Sequence, residues 1–228
     1  MPRTSRYAPG GYVFHVLNRS VARMPLFKKD ADYEAFLRVI AETLVKHPMR
    51  ILSYCVMPNH WHMVLWPRRD GDLTEFVRWM THTHTMRWHA AHGTSGSGHL
   101  YQGRFKSFPI ESNTHLYTVM RYVERNPLRA KLTKQAQDWR WGSLHTRVSG
   151  DQEARTLLSA WPVAKPKQWL ARVNQPQTEV ELMALRRSVI RGVPFGSEDW
   201  VEKTARKLGL ESTLRPRGRP RKSSETGE

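Results

Sequence analysis

The chain has 228 residues, 39% of them hydrophobic, with 37 Lys and Arg against 20 Asp and Glu, giving a formal charge of +17 and a pI near 10.6. That length buries one good core plus an appendage, and that charge favours a polyanionic partner, nucleic acid before acidic membrane. A single cysteine, Cys55, excludes a disulfide framework, and no stretch nears the roughly 18 uncharged apolar residues of a membrane helix, so a cytoplasmic protein without membrane contact is expected.

Residues 12–18 are β-rich and bounded by Pro9-Gly10-Gly11, which predicts a strand. Phe36, Leu37, Ile40, Leu44 and Val45 recur at helical spacing over 30–46, and His47-Pro48 stops that helix. Strands at 50–57 and 60–66 follow, joined by the tight turn Pro58-Asn59. A helix over 73–92 leads into a flexible linker, Gly-Thr-Ser-Gly-Ser-Gly at 93–98. A strand at 104–110 and a helix at 113–126, ending near Pro127, complete the order β-α-β-β-α-β-α. This predicts an α+β fold, a ferredoxin-like antiparallel sheet with helices on one face, over residues 1–148.

Beyond the tryptophans Trp139 and Trp141 the character changes. Residues 151–175 are irregular and proline-punctuated. Thr178 and Glu181 form a capping box for a helix to about Arg191, and Ser197 caps another to about Leu208. Residues 149–210 are thus a helical C-terminal extension. Residues 211–228 are a basic tail, with five positive charges in the eight residues 215–222, expected to be disordered alone. Within it Pro216-Arg217-Gly218-Arg219-Pro220 is like an AT-hook, whose extended arginines enter the narrow minor groove of A·T-rich DNA.

The chemistry concentrates in two places. His60 and His62 flank Trp61 as a strand begins. Side chains at i and i+2 of a strand share a face, with Cα atoms roughly 6.5 Å apart. Two such imidazoles can share one metal ion while Trp61 packs on the opposite face. Two histidines are too few for a closed zinc site, whereas an added amide oxygen leaves open positions and suits magnesium or manganese as Lewis acid. Tyr122 is a candidate nucleophile, and Asn126, one helical turn on, shares its face. The plainer alternative is a core tyrosine and a helix-ending Asn-Pro. Arg121, Arg125 and Arg129 recur every four residues on a neighbouring face, placed either to hold phosphates or to line a solvated surface. His82, His84, His89 and His92 crowd one helix, but the first two point about 200° apart, which argues against a second metal site. His15 reads as a hydrogen-bonded sheet histidine.

Three segments carry a resemblance: Met57-Pro58-Asn59-His60-Trp61-His62, Gln102-Gly103-Arg104-Phe105-Lys106-Ser107, and Tyr122-Val123-Glu124-Arg125-Asn126-Pro127-Leu128-Arg129-Ala130. In this order they resemble the REP-associated tyrosine transposases, single-tyrosine members of the HUH (His, hydrophobe, His) class. The resemblance covers residues 10–145, is loose over 150–210, and the basic tail is similar too. It implies that His60, His62 and Asn126 bind Mg2+ or Mn2+. It implies that Tyr122 cleaves single-stranded DNA at a palindromic repeat hairpin, leaving a 5′-phosphotyrosine and a free 3′-hydroxyl able to rejoin strands. Arg104 and Lys106 would sit near the scissile phosphate or the hairpin foot. A monomer or homodimer, associated with the nucleoid, is implied. Two rivals stand beside it: a replication-initiator or relaxase nickase with the same chemistry, and a domesticated regulator that binds hairpins without cutting them.

Overall fold

The structure is a computed structural model, described for residues 8–149 and 151–215. Four strands, β1 (Val13–Arg19), β2 (Arg50–Met57), β3 (His60–Trp66) and β4 (Lys106–Ile110), form one sheet in the order β2-β3-β1-β4. Every neighbouring pair is antiparallel. Helix α1 (Asp30–Lys46) crosses from β1 to β2, and α2 (Asp72–Ala91) from β3 to β4. This is the predicted ferredoxin-like α+β arrangement.

The β2–β3 turn is held from outside. The Pro58 carbonyl accepts the Leu26 and Phe27 amides at 2.8 and 3.1 Å, and the Asn59 carbonyl accepts the Ser20 amide at 3.0 Å. A turn so pinned fixes where β3 begins, and therefore where His60 stands. Trp61 takes the opposite face, fully buried, and donates to the Tyr101 hydroxyl, which also contacts His84 Nδ1 at 2.7 Å. His84 is thereby committed to packing, as expected of that helix.

The expectation of helices on one face needs correction. Phe14, Val16, Trp61, Met63 and Leu65 pack under α1 and α2. Val13, Val64, Phe108 and Ile110 on the other face are covered by α3 (Thr114–Glu124) and by the C-terminal segment. The physical reason was visible in the strand: Met63-Val64-Leu65 is apolar on both faces, so both require a cover.

Two boundaries also differ. Strand β4 starts at Lys106, so Arg104 lies before it, exposed in a bend. The predicted helix over 113–126 ends at Glu124, and Asn126 opens a separate turn, α4 (Asn126–Arg129). Pro127 initiates this turn rather than ending the helix, because a first-turn residue has no intrahelical use for its N–H.

After α5 (Ser143–Ser149) the chain forms α6 (Gln152–Arg155), α7 (Trp169–Asn174), α8 (Glu179–Arg191) and α9 (Glu198–Leu208). The two short helices α6 and α7 fall inside the stretch expected to be irregular. The Thr178–Glu181 capping box is formed as predicted. Ser197 occupies the cap position of α9 without a side-chain capping bond; its amide instead donates to Glu111 Oε2 at 2.7 Å. Arg217 and Arg219 lie outside the described residues, as does most of the basic tail.

One buried acid ties this extension to the sheet. Glu124 Oε2 accepts Trp169 Nε1 at 2.7 Å, while Oε1 accepts Ser143 Oγ at 2.8 Å and Ser53 Oγ at 3.3 Å. Strand β2 and helices α3, α5 and α7 thus meet at one carboxyl, two residues from Tyr122. Burial raises its pKa above the ordinary 4.5. A folded-state pKa above the unfolded one contributes stability that is fully present below the unfolded value and is lost as pH rises through the folded one. Glu124→Gln is therefore expected to fold and to flatten the decline in Tm as pH rises above the ordinary carboxyl range. An amide can still accept from Trp169 and donate to Ser143. A wild-type pH slope in the variant would count against this assignment.

Candidate active site

His60 and His62 leave the pinned turn on the face of the sheet that α3 covers, with ring centroids 5.0 Å apart. Tyr122 comes down from α3, its ring edge-on to His62 at 5.9 Å. Asn126 follows on α4. His62, Tyr122 and Asn126 are 4, 8 and 5% exposed, so the site is enclosed rather than displayed. The sequence-predicted set is therefore gathered on one face.

Both imidazoles are held by their Nδ1 atoms. His60 Nδ1 lies 2.6 Å from Asn59 Oδ1 and His62 Nδ1 lies 2.9 Å from His15 Nε2. An amide oxygen only accepts, so the His60 proton sits on Nδ1 and Nε2 keeps its lone pair. Burial, with Arg19 and Arg129 nearby, lowers the His60 pKa to about 4. Burial first, and then His60 and His15, push His62 well below the ordinary 6.5. Both rings are neutral at pH 7, the state in which imidazole binds a cation.

The donor set fits a divalent ion in a particular way. Among the described residues no three His, Cys, Asp or Glu side chains are placed to hold one metal ion between them. A third protein ligand must come from another residue type, and Asn126 offers an amide oxygen. In this structure that oxygen accepts Arg129 Nη2 at 2.9 Å.

Arg129 is the centre of the arrangement. Its guanidinium carbon lies 4.1 Å from the centroid of the Tyr122 ring. Three buried nitrogens in this neighbourhood, Arg129 Nη1, Asn126 Nδ2 and Arg19 Nε, have no hydrogen-bond partner among the described residues. All are donors. An unsatisfied buried donor is costly, and each of these could take an anion's oxygen as its partner.

The other arginines of the repeat are placed differently. Arg121 donates to the carbonyls of Gln175 and Pro176 at 2.8 and 2.7 Å and lies 3.8 Å from Glu181. Arg125 donates to the carbonyls of Val173 and Asn174. These two hold the extension rather than a phosphate, which corrects their expected role. Of the three, Arg129 is the one that meets Tyr122 and Asn126.

Arg19 went unnoticed in the sequence. It pairs with His60 across the β1–β3 ladder, and Leu17 pairs with His62 on one side and Lys106 on the other. Directly opposed residues share a face, so Arg19 and Lys106 stand on the histidine face. Beside them opens a groove of about 310 Å3 lined by Arg19, Gln102, Arg104, Lys106 and Ile190. Every charged residue lining it is basic. Alternation along β1 was the available signal.

A histidine pair and a buried tyrosine thus meet on one face of a four-stranded antiparallel sheet. The family model described as "Transposase IS200 like" matches residues 11–126, which spans every site residue from His15 to Asn126. The chain belongs to that family, whose members cut and rejoin DNA. Among solved structures, a REP-associated tyrosine transposase bound to a REP hairpin is 21% identical, with a TM-score of 0.49 over 78% of this chain and 100% of its own. A putative transposase from Deinococcus radiodurans R1 is 16% identical, with a TM-score of 0.39 over 54% of this chain and 96% of that one. Likenesses this distant transfer no residue roles. No match is found among curated proteins. No described helix is long and apolar enough to cross a membrane.

Proposed function

We propose that the protein is a single-tyrosine HUH transposase that cleaves and rejoins single-stranded DNA at repetitive palindromic hairpins. The observation that carries this reading is that Tyr122 is buried against His62, next to the His60–His62 pair, and under Arg129, whose buried Nη1 has no partner among the described residues. The hairpin rests on the motif resemblance at 57–62, 102–107 and 122–130.

The Tyr122 hydroxyl attacks the scissile phosphorus. A bond forms between the phenolic oxygen and phosphorus, and the bond from phosphorus to the 3′ oxygen breaks. The phenol's proton passes to water, and the departing 3′ oxygen takes one up. The product is a 5′-phosphotyrosine and a 3′-hydroxyl, and attack by a 3′-hydroxyl reverses the step and joins strands. Arg129 and Arg19 present their unpaired N–H groups to the phosphoryl oxygens as charge develops. Trp61 and the pinned turn keep the histidines in place, and the enclosure limits competing attack by water. His60, His62 and Asn126 would hold Mg2+ or Mn2+, which supplies Lewis-acid polarisation of the phosphate when bound.

The test is a cleavage assay on a labelled hairpin with a single-stranded foot, with Mn2+ or with chelator. A metal-dependent covalent protein–DNA adduct is expected. Tight binding without any adduct would favour the regulator over the enzyme.

Binding itself should depend steeply on salt. Arg19, Arg104 and Lys106 border one groove, and each single-strand phosphate contact contributes about 0.7 to the slope of log affinity against log salt. Replacing Arg104 and Lys106 together by Ala is expected to reduce the slope by about 1.4, read by fluorescence anisotropy over a salt series. An unchanged slope would place the DNA elsewhere.

A further inference from the structure

We infer that His15 is a positioning residue for the metal site: its Nε2 accepts the Nδ1–H of His62 and thereby holds the tautomer in which His62 Nε2 is free to ligate. This rests on the proposed metal-dependent function.

His15 lies on β1, paired with Val64 of β3 and Phe108 of β4, on the same sheet face as His62. Its ring is fully buried. It packs 4.8 Å from the Phe108 ring and 5.1 Å from the His62 ring, centroid to centroid. The 2.9 Å contact between His15 Nε2 and His62 Nδ1 is a buried polar link between the side chains of β1 and β3, and it reaches one of the two histidines proposed to ligate. A neutral imidazole carries one proton on one of two nitrogens. If that proton were on His62 Nε2, the lone pair would point at His15 and the ligating position would be blocked. With its own proton on Nδ1, His15 is an acceptor at His62 Nδ1, and that pair of tautomers is the one that leaves His62 Nε2 free. A histidine ligand is usually oriented in this way by a carboxylate, a carbonyl or a water on its other nitrogen. Here a second imidazole occupies that place, and Asn59 serves His60 in the same sense.

The role is separable from packing. His15→Phe keeps a flat ring against Phe108 and removes the acceptor. His15→Gln places its amide oxygen near the former Nε2 and restores the acceptor. Calorimetric titration of the full chain with Mn2+ alone, paired with thermal melting, tests the assignment. His15→Phe is expected to melt within a few degrees of wild type, because it removes one buried ring nitrogen without a partner among the described residues, His15 Nδ1, and leaves another, His62 Nδ1, in its place. Its Mn2+ affinity is expected to fall about 10- to 100-fold. His15→Gln is expected to bind within about threefold of wild type, whatever its melting temperature. Wild-type affinity in His15→Phe overturns the inference while leaving the metal-dependent reading intact. So does a loss in His15→Gln as large as in His15→Phe. Absence of Mn2+ binding in the wild type itself overturns the metal reading, and this inference with it.

Discussion

Tyr122→Phe is expected to bind hairpin DNA as tightly as wild type and to form no covalent adduct. The substitution removes one oxygen. The ring it leaves still fits beneath the Arg129 guanidinium at 4.1 Å and against His62 at 5.9 Å. The Tyr122 hydroxyl has no hydrogen-bond partner within the described structure, so its loss should change stability by less than about 1 kcal/mol. Affinity should hold because the groove cations Arg19, Arg104 and Lys106 are untouched. Adduct formation should drop by at least about a thousandfold, since the other nucleophile on this face, Cys55 opposite His62, is fully buried and burial raises its thiol pKa, which keeps it from acting in place of the phenol. Denaturing gel electrophoresis of labelled DNA reads the adduct, and anisotropy reads the binding. Residual adduct at even a tenth of the wild-type rate would move the nucleophile to another residue.

The parts of this site that share a strand or a helix were legible from residue order. His60 and His62 alternate with Trp61 along β3, and the alternation alone sends the two types to opposite faces. Tyr122 and Asn126 are one turn apart, and the short break at Arg125 (φ −83°, ψ −6°) stays close enough to helical to preserve that relation. What joins different elements was not legible. No local spacing connects His15 to His62, which lie 47 residues apart and meet only once the β1–β3 register is set. Arg19 and His60 are joined by the same ladder. The arginine repeat misled for a related reason. Helical spacing puts Arg121, Arg125 and Arg129 on adjacent positions, but what each meets depends on how residues 173–176 pass over α3. Those carbonyls lack secondary-structure partners and take the first two guanidinium groups. Glu124 is a further case. In sequence it is one charge among several, and its burial follows from Trp169 arriving out of a segment with no strong pattern of its own.

Arg129→Ala is expected to lower adduct formation about 100- to 1000-fold while leaving Mn2+ binding as tight as in wild type or tighter. The two effects have separate causes. The guanidinium lies over the Tyr122 ring and carries a buried Nη1 without a partner among the described residues, beside the spot where a scissile phosphate must meet the phenol. Losing a preorganised donor at developing phosphoryl charge accounts for the drop in rate. Toward a divalent cation the same group is an opponent. It occupies Asn126 Oδ1 at 2.9 Å, and its charge contributes to lowering the pKa of both His60 and His62. Removing it frees the amide oxygen and removes a like charge from the neighbourhood. Arg129→Lys separates charge from shape: a lysine restores a positive charge without the planar fork that spans ring and amide, and should recover less than about tenfold of the lost rate. Calorimetry with Mn2+ and the gel assay with hairpin DNA measure the two quantities on the same preparations. A variant that loses both together would make Arg129 a support for the metal ligands instead. One that loses neither would leave its place over the Tyr122 ring without a chemical role.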